Sequence, residues 1–452
     1  MPMKDGMKKR IVILGAGESG VGAALLAQQK KYEVFVSDSS LIKDVFKTEL
    51  LLNKIEFEEN IHDNEKVFQA DLVVKSPGIP DKNEAIQELR KRGIEIISEI
   101  EFAYRHKGES KIIAVTGSNG KTTTTAMIYH ICKEAGLDCA MVGNIGFSFA
   151  RQVASDPKRL YVAEISSFQL DDIKLFRPDI AVLTNITEDH LDRYNYNFEN
   201  YIKSKFNIIR NQAEGDVFIY NADDEVTEKY LNNFINRTNP LPFSMSKQLP
   251  QGAYISNAEM HIKWKKEEMN MSIDDFAVKG KHNQYNTMAA SLSAVVMDIR
   301  KEKIRDAVQT FESLEHRMEP VAIIKGVEFI NDSKATNTNS TWYALESMTK
   351  PTILILGGVD KGNDYSFMKE IVREKVKAIV CMGIDNRKIH EAFGNDVELI
   401  INTDNAKDAV QSAFHFADKG DVVLLSPACA SFDLFKNYED RGRQFKEAVK
   451  DL

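Results

Sequence analysis

The sequence predicts an α/β protein made of three consecutive α/β units, and three observations carry that expectation. Short apolar runs alternate with polar, helix-compatible segments along most of the chain. The apolar runs end in glycine-bearing or polar turns, as strands do when their carboxyl ends open into loops. The alternation restarts near residue 98 and again near 313, and 452 residues exceed what one hydrophobic core supports.

IVIL (11–14) is the first strand, followed by Gly15, Gly17 and Gly20 and a helical pattern to about Lys30. YEVFVSD is a second strand ending at Asp38, and DLVVK (71–75) and IEII (94–97) are two more, which gives a Rossmann-like N-terminal domain over 1–98. The central domain, 99–313, opens on KIIAV (111–115) and continues through LYVAE (160–164), IAVLT (180–184) and DVFIY (216–220). AYISNAEMHIKW alternates without a helical period, which predicts a small antiparallel insertion between about 240 and 280, before the helix KHNQYNTMAASLSAVVMDI (281–299). A second Rossmann-like domain, 314–452, runs from VAIIKGVEFIND through TILILGG, KAIVCMG, VELII and DVVLLSPA, and DRGRQFKEAVKDL closes it as a surface helix.

A net charge of −8 excludes a general nucleic-acid binder. No apolar stretch reaches membrane length, so no span is expected. KKR before IVILGAGESGVGAALLA imitates a secretory leader, but Glu18 and the spaced glycines favour strand, turn and helix. Cys132, Cys139, Cys381 and Cys429 lack CxxC spacing and read as free thiols of a reducing cytoplasm. A cytoplasmic monomer is expected.

The stretch VTGSNGKTTTTAM (115–127) carries the chemistry. Gly117 and Gly120 let the backbone turn tightly, so that the amides of Ser118 and Asn119 and the following helix N-terminus converge on one point. Lys121 brings a full charge to the terminal phosphates of ATP, and the Thr122 hydroxyl suits the shell of the accompanying Mg²⁺. Thr123 continues the helix start. The pattern is a shortened P-loop, GxxGKT, with Val115 where the longer form has its first glycine. The central domain is therefore expected to be of the P-loop ATPase type. Glu164 ends LYVAE, and NITEDHLDRY after IAVLT supplies His190; both are candidates to hold a divalent ion.

TGSNGKTTT, GNIG (143–146), EISSFQL (164–170), TNITEDHLDRY (184–194) and KHNQYN (281–286) resemble the Mur ligase family, over essentially the whole chain and in the family's order. NDSKATN (331–337), LGGVDKG (356–362) and SPACASFD (426–433) look like its D-glutamate-adding branch. The resemblance implies an ATP-dependent amide ligase of peptidoglycan synthesis. It would join D-glutamate to UDP-N-acetylmuramoyl-L-alanine through an acyl phosphate, with two Mg²⁺ ions. It implies that Thr122 ligates one ion, and that Glu164, with His190, holds the other. Lys205 is implied to be carbamylated, since an ammonium has no acceptor for a metal. The alternative at Lys205 is a surface lysine, and Lys203, on a different face, is the one expected to be solvated. Asn283, Asn286, Arg317 and Asp332 are implied as nucleotide contacts. Lys334, Thr336, Lys361, Ser431, Phe432 and Tyr438 are implied at the amino-acid site.

GAGESG (15–20) with Asp38 also fits a dinucleotide fingerprint, but the first unit is about one mononucleotide half in size. The resemblance instead gives this turn the uridine diphosphate of the substrate. Glu18 and Ser19 would lie nearest the pyrophosphate, Asp38, Ser39, Ser76 and Gly78 around the uracil, and Asn144 and His190 at the sugar-peptide end. A nicotinamide-dependent oxidoreductase would leave TGSNGKTTT idle. Folylpolyglutamate synthase has its phosphate loop near its start. A nucleotide sensor without turnover would give Glu164, His190 and Lys205 no purpose.

Overall fold

A computed structural model describes residues 9–235, 237–312 and 314–452, so residues 1–8 of the first expected domain and residue 313 at the second expected cut lie outside the described residues. The first sheet is fully parallel, in the order β3-β2-β1-β4-β5, from β1 (Arg10–Leu14), β2 (Glu33–Asp38), β3 (Glu56–Glu59), β4 (Leu72–Lys75) and β5 (Glu95–Ser98). Strand order reverses between β1 and β4, and Gly15 and Ser76 follow their carboxyl ends, where an open α/β sheet presents its ligand crevice.

The second sheet has the order β14-β13-β12-β11-β10-β9-β6-β8-β7. Its parallel part is β6 (Lys111–Thr116), β7 (Cys139–Gly143), β8 (Leu160–Glu164), β9 (Ile180–Leu183), β10 (Val217–Asn221) and β11 (Asn239–Ser244). The strands β12 (Gly252–Ser256), β13 (Glu259–Trp264) and β14 (Glu267–Ser272) form the expected antiparallel insertion, and they extend this same sheet. β11 joins the two parts although it contains Pro240 and Pro242. It pairs with β12 only at Phe243 and Ser244, so both prolines direct their missing N–H away from β10, toward an edge with no ladder to lose.

The third sheet has the order β15-β16-β20-β17-β18-β19, from β15 (Glu319–Ile324), β16 (Val327–Asn331), β17 (Thr352–Leu356), β18 (Val376–Met382), β19 (Leu399–Thr403) and β20 (Val422–Leu425). The run VAIIKGVEFIND is a hairpin rather than one strand. Lys325 (φ +50°) and Gly326 (φ +86°) both take left-handed backbone at its tip, the requirement of a tight two-residue hairpin turn. Strands β8 and β17 are buried along their whole length, which explains their apolar runs, Leu160–Ala163 and Ile353–Leu356.

The chain divides into two compact units. One runs to Phe276 and takes up Tyr285–Thr310; the other is Ala277–Gln284 with Phe311–Leu452. The first unit contains both leading sheets, and a single apolar cluster holds Ile11, Ile13 and Val74 of the first together with Ile112, Ala163 and Phe149 around the second. Polar ties cross the same junction. Arg151 donates to Glu18 (2.7 and 3.0 Å) and to Glu49, Lys75 pairs with Asp172 (2.8 Å), and Glu101 accepts from the amides of Lys174, Leu175 and Phe176.

Glu99 is fully enclosed at this junction and accepts from Ala150 N, while its Oε2 has no partner. Burial lifts its carboxyl from 4.5 to about 8, against the Ala150 hydrogen bond and with a contribution from the neighbouring charge of Glu18. The folded state therefore holds this proton more tightly than the unfolded state. The associated stability is complete below about pH 4.5 and is lost as pH rises toward about 8. Glu99→Gln is expected to flatten that slope and to be about 1–3 kcal/mol more stable than the parent at pH 9. Urea unfolding at pH 6 and pH 9 measures this, and equal pH slopes for the two proteins would contradict it.

The closing helix, Tyr438–Lys450, lies at the surface as expected, with Arg441, Gly442, Phe445, Ala448 and Val449 buried on one face and Arg443, Gln444, Glu447 and Lys450 exposed on the other. All four cysteines are free, and only Cys139 is not fully buried. Among the described residues no helix is long and apolar enough to cross a membrane.

Candidate active site

At the end of β6 the chain enters the glycine turn, and both glycines are required by geometry. Gly117 has φ +148°, and a Cβ there would sit 1.9 Å from Thr184 Oγ1; Gly120 has φ +80°, and its Cβ would sit 2.5 Å from Asn286 Oδ1. The loop after β9 braces the turn. Ser118 N donates to Asn185 O and Asn119 N to Asn185 Oδ1, both at 2.9 Å, while Asn185 Nδ2 and Thr184 Oγ1 donate back to Asn119 O. The helix Lys121–Glu134 follows at once, so its N-terminal amides point into the turn. Lys121 Nζ lies over this loop, donating to Gly117 O (2.9 Å) and Ser118 O (2.7 Å). Thr122 is buried and Thr123 partly so. Asn286 accepts from Thr124 Oγ1, whereas Asn283 Nδ2 donates to Lys279 O.

Glu164 ends the neighbouring strand and is 2% exposed. Its Oε1 accepts from Asn144 Nδ2 at 2.8 Å, and its Oε2 is buried with no partner. An orphaned carboxylate oxygen beside a phosphate loop is what a hard cation would satisfy. Among the described residues there is no group of three or more His, Cys, Asp or Glu placed to share an ion. The unpartnered Glu164 Oε2 is the one observation in this site that suits a Mg²⁺ whose other ligands come from elsewhere.

Lys205 is the buried lysine and Lys203 the exposed one. Lys205 Nζ donates to Gly117 O at 2.6 Å, so this carbonyl receives both lysines of the site, and Nζ stands 4.9 Å from the Tyr201 ring centre. Burial, then the charge of Lys121, hold its pKa well below the usual lysine range, although Asp189, Glu164 and Asp171 pull the other way. His190 occupies left-handed backbone (φ +53°), with Nε2 3.6 Å from Asp189 Oδ2 and its ring edge-on to Phe168.

At the first sheet's crevice, Gly15 (φ +92°) approaches Ser76 so closely that a Cβ would meet Ser76 Oγ at 2.5 Å. Asp38 pins the turn by accepting from Ala16 N (2.7 Å) and Ser40 N (2.9 Å). Ser39 and Gly78 are exposed beside it, and Ser19 is half-buried. The Glu18 carboxylate is committed to Arg151 and Ser148 N, which leaves its backbone at the helix start, not its charge, facing the turn.

In the second unit, Asp332 follows β16, is fully enclosed, and accepts from Ser426 Oγ (2.9 Å) and Met318 N (3.2 Å). Burial raises its carboxyl to about 7, opposed by those hydrogen bonds and by the charges of Arg317 and Arg441. Lys334 Nζ sits 3.7 Å from the ring centre of Tyr438. Thr336 is half-buried, Ser431 is buried, and Phe432 and Lys361 are exposed. The residue that organises these loops is Arg441, which sequence reading did not single out. Its guanidinium is buried and donates to Ser333 Oγ and O and to Cys429 O, tying the loops after β16 and β20 together. Within its own unit, each group of expected residues gathers at strand carboxyl ends. Lys361, on the exposed loop after β17, is the outlying member.

Residues 9–98 match the family model of the MurD-like N-terminal domain of Mur ligases, 115–294 that of the Mur ligase middle domain, and 316–429 that of the Mur ligase glutamate ligase domain. The chain is 53% identical to a UDP-N-acetylmuramoylalanine–D-glutamate ligase of Christiangramia forsetii, over 99% of this chain and 100% of that one. A protein of the same name from Bacteroides fragilis is 52% identical over 98% and 100%. Among solved structures, the MurF ligase of Thermotoga maritima in complex with ADP shares the fold at a TM-score of 0.62 and 14% identity, covering 99% of this chain and 100% of that one. The UDP-N-acetylmuramate-alanine ligase of the same organism does so at 0.62 and 17%, covering 98% and 100%. With three matched domains in register with its three sheets, the chain belongs to the Mur ligase family.

Proposed function

We propose that this chain joins D-glutamate to UDP-N-acetylmuramoyl-L-alanine with conversion of ATP to ADP and phosphate, as a cytoplasmic monomer of peptidoglycan precursor synthesis. The observation that carries the chemistry is the pair formed by the Lys121 phosphate loop and the unpartnered Glu164 Oε2 on the adjacent strand. Ser118 N and Asn119 N, expected to face the phosphates, are instead spent on Asn185, so the amides at the head of the helix Lys121–Glu134 hold the phosphates and Lys121 neutralises their charge. Asn286 contacts the nucleoside, and Asn283, Arg317 and Asp332 are proposed as further nucleotide contacts. Thr122, Glu164, His190 and a carbamylated Lys205 would hold Mg²⁺. When bound, Mg²⁺ supplies charge neutralisation where phosphate and the substrate carboxylate meet.

The proposal for Lys205 rests on its burial. A neutral amine, unlike an ammonium, adds to carbon dioxide: the N–C bond forms, one proton leaves, and the product carries acceptor oxygens. The Gly15 turn, Ser19, Asp38, Ser39, Ser76 and Gly78 receive the uridine diphosphate, and Asn144 and His190 the sugar-peptide end. The substrate carboxylate is phosphorylated to an acyl phosphate. The amine of D-glutamate, held by Lys334, Thr336, Lys361, Ser431, Phe432 and Tyr438, then displaces phosphate. Two lysines suit a dicarboxylate, one for each carboxylate. Domains over 9–98, 99–312 and 314–452 divide the work.

Phosphate release with ATP, Mg²⁺ and UDP-N-acetylmuramoyl-L-alanine tests the reading when D-glutamate, L-glutamate, L-alanine and a diamino acid are compared. D-glutamate alone is expected to drive release. Equal rates with L-alanine, or none with D-glutamate, would overturn it.

A further inference from the structure

The loop between β9 and the helix Phe198–Phe206 holds three non-glycine residues in left-handed backbone, His190 (φ +53°), Asn195 (φ +55°) and Tyr196 (φ +55°). Such a loop keeps one shape only when its surroundings fix it. One anchor is the phosphate turn, where Ser118 Oγ donates to Thr187 O at 2.8 Å. The other is Arg193, on the single 3-10 turn that follows His190. Its Nη1 donates to Gly78 O (3.1 Å) and its Nη2 to Pro77 O (3.0 Å), reaching the turn after β4 of the first sheet. A guanidinium has five donors in a rigid fork and so suits two successive carbonyls, which a point-charge ammonium matches less well.

The same guanidinium lies 4.5 Å from the ring centre of Phe168, and Phe168 meets the His190 ring edge-on at 5.2 Å. Arg193 and His190 thus share one aromatic wall. Two hydrogen bonds join the Pro77–Gly78 turn to the guanidinium, and Phe168 joins the guanidinium to the imidazole.

We propose that Arg193 is a positioning residue which couples the turn carrying Ser76 and Gly78, at the nucleotide end of the substrate, to His190 at the reacting end. The inference rests on the assignment of that turn and of His190 to the substrate site. A strut that merely stabilised the fold would act on melting temperature and not selectively on turnover.

Arg193→Ala is expected to lower kcat about tenfold or more and to raise KM for UDP-N-acetylmuramoyl-L-alanine, with KM for ATP within about twofold of the parent. Arg193→Lys keeps a cation over Phe168 but cannot span both carbonyls, and is expected to recover only part of the loss. Because the path runs through Phe168, adding Phe168→Leu to Arg193→Ala is expected to cost no more than about a further twofold in kcat. Parent kcat in Arg193→Ala overturns the coupling, and so does a double variant whose loss equals the product of the two single losses. If Arg193→Ala does not fold, Arg193→Lys and Arg193→Gln carry the test through the same separation of kcat from KM. His190→Ala at the parent rate would remove the site assignment itself. An inactive His190→Ala beside a fully active Arg193→Ala overturns the coupling alone.

Discussion

Lys121→Ala is expected to slow ligation by about 10³-fold or more while the protein remains folded. The side chain brings a full positive charge to the head of the helix Lys121–Glu134, whose first turn carries no acidic residue to oppose an anion. Without it, the amides of a helix N-terminus favour an anion by only about 0.3–2 kcal/mol, enough for weak nucleotide binding and too little to offset charge developing on a transferred phosphoryl group. The substitution has a second effect. The charge of Lys121 is one of the influences that keep Lys205 easily deprotonated, so its removal lets Lys205 hold a proton more firmly. Phosphate release and calorimetric binding of an ATP analogue separate the effects on turnover and on affinity. Peptide-bond synthesis at the parent rate in folded Lys121→Ala would overturn the assignment of the phosphate loop.

Lys205→Ala is expected to lose about 10²–10⁴-fold in activity and to regain part of it when short carboxylic acids are added. The side chain is 2% exposed and fills the space beneath Gly117, so the alanine leaves room for a small carboxylate to stand in for the lost carbamate oxygens. Lys203→Ala, which alters an exposed position, is expected to behave as the parent. Because burial pushes the Lys205 pKa down, the reactive neutral amine is more available than in a solvated lysine and is lost as pH falls. Activity that requires bicarbonate and declines on acidification would accompany the rescue. An absence of rescue, with ATP-analogue binding retained, would refute the carbamate.

Much of this was readable from local signals, and the failures have local causes. The strands β1, β6, β8 and β17 announce themselves because both faces are covered and their central positions are apolar. β3, with the sequence EFEE, has no apolar run because it is an exposed sheet edge, where charge guards against pairing with another chain. β11 was hidden by its two prolines, which a strand tolerates only with a ladder on one side. The phosphate turn was legible because glycine, lysine and threonine at fixed spacing leave few other uses. The choice of Lys205 over Lys203 came from family resemblance, and burial now separates the two.

Arg441 and Arg193 left no such signal. Arg441 stands in a charged segment that reads as solvated, yet it bonds to backbone oxygens far away in sequence. The partners of Arg193, Pro77 O and Gly78 O, carry no side-chain identity at all. Main-chain acceptors are invisible to any reading of residue types. Glu18 was drawn toward the pyrophosphate by its position in GAGESG, and its partner Arg151 lies in a helix with no motif to advertise it.

The apolar cluster shared by the two leading sheets has a consequence for substrate choice. With Gly15 and Gly117 mounted on one continuous interior, the span between the turn proposed for the diphosphate and the loop proposed for ATP would be a fixed gauge. On that assignment, an acceptor would be measured against the gauge by the length of its sugar and peptide arm. One arm too short leaves its carboxylate away from the γ-phosphate, and one too long must buckle to fit. Discrimination by reach then needs no side chain dedicated to recognising the arm itself.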